Sequence, residues 1–151
     1  MDPSTLLGPV DVLGQTVVGD VLLIEFVLFG LVIANMVTRY LAYRRNVQEA
    51  EDEDTEALSR HPVHELTNVL LLVGAFYYTT VAPHGGIVLT MIVIGLVIAD
   101  VFEKEVRDVS FREDRPIDAP KGALGISVFA LAYAGFQAVF FLISDYWGAI
   151  I

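Results

Sequence analysis

Hydrophobic residues are concentrated in four long segments of the chain, and charged residues lie between them. The segments cover about 21–41, 65–82, 86–103 and 122–146. Each is close to the roughly 20 residues that a helix needs to cross about 30 Å of hydrocarbon. The segments lack the alternation typical of strands, and lipid admits only helices or closed barrels. The pattern therefore predicts an all-α, polytopic membrane protein, a four-transmembrane-helix bundle in a single domain over residues 1–151.

Composition supports this segregation of apolar and charged residues. The chain is 55% hydrophobic and yet carries a formal net charge of −10. It has no cysteine, which excludes disulfides, thiolate metal ligands, iron–sulfur ligation and a cysteine nucleophile. We expect the lipid bilayer and membrane proteins as its partners, and no nucleic acid.

The basic residues predict the orientation in the membrane. All nine Lys and Arg lie between Arg39 and Lys121, in and beside the connections about 42–64 and 104–121. By the positive-inside rule these two loops are cytoplasmic. The N- and C-termini then lie outside a multi-pass protein of the cell membrane. The turn Pro83–Gly86 also lies outside and is short enough to make helices 2 and 3 antiparallel neighbours.

The segment before the first apolar run allows two interpretations. Pro9 could begin a short interfacial helix with Val10, Leu13 and Val17 along one side. Gly14 weakens that helix, so an irregular lead into helix 1 stays open.

Glu25 is the candidate intramembrane acid. It lies among apolar residues of the first segment, and ionisable residues inside membranes are candidates for function by default. It could carry protons or bind a cation, or it could accept a hydrogen bond from a neighbouring helix. A four-helix chain with one acid in helix 1 resembles the small multidrug-resistance exporters. That resemblance implies a small proton- or cation-coupled transporter using Glu25 as the alternative function.

Three polar residues are predicted to lie at the inner membrane interface. Asp100 precedes Lys104 by one helical turn, which predicts an ion pair and a helix that continues past the membrane. Asn35 holds the equivalent position in helix 1, one turn before Arg39.

A histidine-rich stretch is the weak candidate for a metal site. His61, His64 and Glu65 would share one side of a helix, although their order differs from the zinc-protease signatures. Pro62 and Glu65 also suit the start of a helix, which is the favoured interpretation. His84 lies at the other membrane boundary, so two axial haem ligands at one depth are not available within one chain, although a dimer or a partner could complete such a site. We therefore expect no metal and no other cofactor.

Small residues at three- and four-residue spacing indicate helix packing, because association in lipid depends on close approach of backbones. Helices 1 and 3 each carry a Gly and an Ala four residues apart, and helix 4 carries a longer stripe. The predicted packing residues are Gly30, Ala34, Gly95, Ala99, Ala123, Ser127, Ala130, Ala134 and Ala138.

A near-repeat links helices 1 and 3. Residues 30–35 read GLVIAN and residues 95–100 read GLVIAD, and both lie on helices that run from outside to inside. A tandem repeat of helical hairpins, with helices 1–2 and 3–4 as units, stays open because helices 2 and 4 align poorly at the same offset.

No set of nucleophile, base and acid occurs, and no phosphate-binding loop, so we expect no enzyme. With acidic loops, four spans and seven Arg to two Lys, the chain resembles the small four-span membrane proteins of salt-accumulating haloarchaea. Some of these accompany respiratory complexes, so the resemblance implies an accessory subunit. We expect a non-enzymatic structural or accessory subunit of a larger membrane complex, or a homo-oligomer.

Overall fold

A computed structural model describes residues 8–151. The prediction of an all-α fold is confirmed, with one small hairpin before the helices. In chain order the elements are a 3-10 helix Asp11–Gly14, strands β1 Thr16–Val18 and β2 Val21–Leu22, and helices α1 Leu23–Glu51, α2 Pro62–Val81, α3 Pro83–Arg112, α4 Lys121–Val139 and α5 Phe141–Ile150. The predictions for residues 1–7 lie outside the described residues.

Helices α1 to α4 form a closed ring of antiparallel neighbours. α1 packs against α2 and α4, and α3 also packs against α2 and α4, so α1 and α3 stand at opposite corners. One end of the bundle contains Glu25 and the other contains Arg39, and these are called the Glu25 end and the Arg39 end below. In the described residues three helices, α1, α3 and α4, are long and apolar enough to cross a membrane.

The centre of the bundle is apolar. Its fully buried side chains include Leu28, Val32, Leu71, Val93 and Leu96, each at most 1% exposed. They fill the space between two layers of buried polar side chains, one at each end. Glu25 and Arg39 mark these layers on α1, and 14 residues of helix separate them by about 21 Å.

Two helices continue well past the predicted apolar segments. α1 extends to Glu51 and α3 to Arg112, so the predicted loops 42–64 and 104–121 shrink to residues 52–61 and 113–120. The extensions are rich in good helix formers and carry pairs at i,i+4, such as Arg45 with Glu49. They also bury side chains against each other, because Arg107 donates from Nε to Asn46 Oδ1 at 3.1 Å.

The predicted fourth helix, 122–146, is divided in the structure. α4 ends at Val139 and α5 begins at Phe141, with Phe140 as the junction. α4 is held by the bundle and has buried residues, whereas α5 has none. The last turns therefore lack the packing that enforces one continuous helix, although the ring of Phe141 still meets Phe26 edge to face at 6.4 Å.

The segment before α1 is not the helix that Pro9 suggested. It forms a 3-10 turn and a two-stranded antiparallel hairpin in which Val18 pairs with Val21. Gly19 has a φ of +55°, which suits the two-residue connection, and Thr16, Val17 and Val18 favour strands.

The small residues fall into two groups. The buried residues of α4 are Ala123, Ser127, Ala130, Ala134 and Ala138. In contrast, Gly30 and Ala34 are exposed on α1, and a Cβ on Gly30 or Gly95 would meet no heavy atom within 4 Å. A close approach of α2 and α3 uses Gly86, a glycine that the spacing did not single out. A Cβ on Gly86 would lie 2.3 Å from Thr79 Cα.

Candidate functional site: a polar network inside the bundle

Eight polar side chains meet inside the bundle near the Arg39 end, and all four helices of the ring contribute. All eight are buried. They are Asn35, Thr38 and Arg39 from α1, His64, Thr67 and Asn68 from α2, Asp100 from α3 and Ser127 from α4. Their spacing explains the convergence, since residues i, i+3 and i+4 share one face of a helix.

Arg39 lies at the centre of this network and is 3% exposed. Its guanidinium donates to three different helices. Nε donates to Asp100 Oδ1 at 3.2 Å, one Nη donates to Ser127 Oγ at 2.6 Å, and the other donates to Asn35 Oδ1 at 2.7 Å. A buried arginine needs such partners, because an unpaired charge in a low-dielectric interior is costly.

Asp100 receives hydrogen bonds on both carboxylate oxygens. Oδ1 accepts from Arg39, and Oδ2 lies 2.7 Å from His64 Nε2 and accepts from Asn68 Nδ2 at 2.8 Å. Asn35 in turn donates from Nδ2 to Asn68 Oδ1 at 2.7 Å and to Thr67 Oγ1 at 2.9 Å. The side-chain amide of Asn68 therefore joins the last residues of the two GLVIA copies.

The predicted pair of Asp100 with Lys104 is wrong. Asp100 turns into the bundle towards Arg39 and His64, and Lys104 donates to Asp108 instead. The i,i+4 spacing fits both acids, but Asp100 is on the inward face, where Arg39 compensates its charge and His64 is hydrogen-bonded to it. Glu103 also leaves the helix surface, because its Oε1 accepts from the free amides of Gly122 and Ala123 at 2.7 and 3.1 Å and caps α4.

The metal face predicted for α2 does not form. His61 is the N-cap, and its Nδ1 accepts from the backbone N–H of His64 at 3.2 Å. His64 points into the bundle, whereas Glu65 is outside and pairs with Arg60 at 3.4 Å. Within residues 8–151 no group of three or more His, Cys, Asp or Glu is arranged to hold a metal ion.

Glu25 belongs to the second polar layer, at the Glu25 end. It lies in the first turn of α1, where Oε2 accepts from the backbone N–H of Leu22 at 2.7 Å. Its Oε1 accepts from the hydroxyl of Tyr78 on α2 at 2.5 Å. The carboxylate thus caps α1 and ties it to α2, which is a structural use of the acid.

Sequence reasoning identified Asn35 and Asp100 but missed Arg39, which joins them as Asn68 does. In the sequence, Arg39 stands beside a charged loop and predicts only the orientation in the membrane. A signal was present, because Arg39 follows Asn35 by four residues and Lys104 follows Asp100 by four, so one of these cations could turn inward. Arg39 bonds to Asp100 and Ser127, which lie on helices that the spacing alone does not position.

These observations define the class. The protein is a helical bundle with an apolar surface, a buried polar network and three helices suited to a membrane. The chain matches the family described as domain of unknown function DUF7313 over residues 2–151, and it belongs to that family. No curated protein and no solved structure matches it.

Proposed function

We propose that the chain is a non-enzymatic, four-span membrane protein that serves as a structural or accessory subunit of a larger membrane complex, or of a homo-oligomer. The observation that supports this best is the packing of the bundle. The buried charges of Arg39 and Asp100 are paired, and large apolar side chains fill the space between the two polar layers. Such an interior is suited to holding helices in fixed positions.

The surface supports a membrane position for all four helices of the ring. α2 has the polar side chains His64, Thr67 and Asn68 inside, which lowers its average hydropathy. Its outer face is apolar, with Val63, Leu66, Val69, Leu70, Val73 and Phe76 all exposed. A surface helix of a soluble domain has the opposite arrangement, with its apolar face inside and its polar face outside. We infer that α2 is the fourth span, about 30 Å long for its 20 residues.

The proposed orientation places the Arg39 end in the cytoplasm, because all nine Lys and Arg lie between Arg39 and Lys121. The largely exposed acidic stretch 49–56 then faces a cytoplasm in which molar salt, with a Debye length of about 3 Å, screens its charges. This fits a haloarchaeal source.

The absence of native cysteine makes the topology directly testable. Single cysteines introduced at Glu53, Asp114 and His84 are treated with a membrane-impermeant maleimide on intact cells. The proposal expects labelling at His84 alone, and labelling of all three after lysis. Labelling of Glu53 on intact cells would contradict the orientation, and Glu53 and His84 reacting on the same side would contradict an odd number of spans between them.

The proposed role is tested by purification from native membranes in a mild detergent. The expected result is co-migration with other membrane proteins or an oligomer larger than one chain. A monodisperse monomer that retains its fold, with no co-purifying protein, would overturn the accessory role while leaving the topology intact.

A small proton- or cation-coupled transporter using Glu25 is the second candidate, and it is favoured by one observation. Glu25 is buried and bonded to Tyr78 between helices, a position where proton gain or loss would alter the contact of α1 with α2. Flux in proteoliposomes should then be abolished by Glu25→Gln. Asp20→Asn is the matched control, because Asp20 is an exposed acid just before α1. Wild-type vesicles without flux would exclude this function.

A further inference from the structure

His64 is held by hydrogen bonds at both ring nitrogens. Nε2 lies 2.7 Å from Asp100 Oδ2, and Nδ1 lies 2.9 Å from Thr38 Oγ1. We propose that His64 is a reversible proton-binding site, which takes up a proton from water at the Arg39 end while the bundle keeps its packing. The proposal goes beyond the structural role and does not depend on the identity of a partner.

The contact with Asp100 fixes one proton. If neither atom carried hydrogen, two acceptors would face each other at 2.7 Å, which is unfavourable. A proton therefore lies between Nε2 and Oδ2, and Nε2–H donates to the carboxylate. This leaves Nδ1 as the ring atom that can gain or lose a proton.

The hydroxyl of Thr38 can serve both states of Nδ1. When the ring is neutral, the Thr38 O–H donates to Nδ1. When the ring is charged, Nδ1–H donates to Thr38 Oγ1, and the hydroxyl hydrogen turns to the Asn35 carbonyl oxygen at 3.1 Å. Thr67 lies 3.1 Å from Thr38 and can use its own hydroxyl hydrogen for the His64 carbonyl at 2.8 Å. The change needs rotation of one hydroxyl and no movement of a heavy atom.

The charges around the ring come from three helices and one connection. α1 contributes Arg39, α2 and the residues before it contribute Arg60, His61 and Glu65, and α3 contributes Asp100, Lys104 and Arg107. α4 brings the uncharged Ser127 to this layer. Among the described residues, Asp100 is the ionic partner bonded to the ring, and Lys104 is bonded to Asp108. The added positive charge would thus be held by a carboxylate already in place.

A narrow crevice lies beside the site at the Arg39 end. Asn46, Ser59, His61, Lys104 and Arg107 are among its walls, and His64 and Asp100 also line it. Its volume of about 10 Å³ is near the lower limit for one water molecule. In the net step a hydronium ion gives one proton to the neutral imidazole, which leaves imidazolium and water.

The proposal is tested on the full chain in detergent micelles with ¹⁵N-labelled histidine. The chain has three histidines, and exposed His84 is the internal comparison. As the pH is lowered, the His64 ring should change reversibly from the Nε2–H tautomer to the doubly protonated form. Ring nitrogen shifts of His64 that stay constant while those of His84 move would overturn the proposal.

Substitution of Thr38 tests the role of its hydroxyl. Thr38→Val removes the acceptor for the charged ring, so protonation of His64 should require at least about tenfold more hydrogen ion than in the wild type. Thr38→Ser keeps the hydroxyl and should titrate as the wild type does. An unchanged midpoint in Thr38→Val would overturn the Thr38 mechanism. If that variant does not fold, the wild-type titration still decides whether His64 binds the proton.

Discussion

The guanidinium of Arg39 and the carboxylate of Asp100 meet across the diagonal of the bundle, with Nε 3.2 Å from Oδ1. Their helices, α1 and α3, stand at opposite corners of the ring, so the pair passes through its centre. Arg39 also reaches α4 through Ser127, and Asp100 reaches α2 through His64 and Asn68. One ion pair therefore couples the positions of all four helices.

Removing the cation of this pair should strongly destabilise the fold. Arg39→Gln leaves the Asp100 charge buried and partly uncompensated, which costs about 3–5 kcal/mol. The matched control is Arg44→Gln, because Arg44 is exposed on the same helix and should change stability by less than about 0.5 kcal/mol. The measurement is reversible unfolding in mixed micelles.

The double variant Arg39→Gln/Asp100→Asn measures how much of the lost stability comes from leaving one charge of the pair uncompensated. It removes both charges, so it should be more stable than the sum of the two single substitutions predicts, by about 1 kcal/mol or more. Additive losses would mean that the two residues act independently, in conflict with the contact across the diagonal.

Larger residues on the buried face of α4, which carries small side chains, should destabilise the bundle. Ala130 is fully buried, and Ala130→Leu would force α4 away from its neighbours at a cost of about 1–3 kcal/mol or more. Ala132 is exposed on the same helix, and Ala132→Leu should be close to neutral. Equal effects of the two substitutions on thermal unfolding in detergent would show that α4 has a different face inward.

Two glycines of α3 should respond in opposite ways to alanine. A Cβ on Gly86 would overlap the backbone of Thr79, so Gly86→Ala must separate α2 from α3 and lower the melting temperature. A Cβ on Gly95 meets open space, and Gly95→Ala should stabilise α3 by about 0.5–1 kcal/mol. A melting temperature for Gly95→Ala as low as that of Gly86→Ala would reveal a close neighbour at Gly95.

The end of α3 offers a stabilising substitution. Asp114 has a φ of +52°, and the N–H of Arg115 donates to the carbonyl of Ser110 at 2.8 Å, which is the bonding of a Schellman motif. Glycine adopts this conformation without strain, so Asp114→Gly should gain up to about 1 kcal/mol. Glu113→Gly, at a negative φ of −100°, should instead lose stability. Unfolding curves of the two variants check the difference in sign.

Helix existence could be predicted from the sequence because each apolar segment is long and continuous. The helix ends could not, since α1 and α3 continue as charged helices whose stability depends on contacts such as Arg107 with Asn46. The hairpin before α1 was also missed, because three strand-forming residues beside one glycine give a weak pattern.

Individual residues of the candidate site could be predicted from the sequence, but most hydrogen bonds between them could not. The position of Asn35 and Asp100 at equal depth followed from the GLVIA copies. The hydrogen-bond partners of Asn35 and Asp100 could not be predicted in the same way. His64 also suits the start of a helix, and Arg39 also suits the edge of a charged loop. Asp100 and Lys104 lie one turn apart and are both buried, but Asp100 bonds to Arg39 across the bundle and Lys104 bonds to Asp108 on its own helix.

The polar side chains on the inner face of α2 affect how this helix can be inserted into a membrane. On the proposed topology, α2 by itself would bring His64 and Asn68 into hydrocarbon before their partner Asp100 on α3 was present. One residue, Ala82, separates it from the more apolar α3. We expect α2 and α3 to enter the bilayer together as a hairpin, with α1 already in place. The order of synthesis then matters to assembly, because the first helix brings Arg39 and Asn35 to receive the pair that follows.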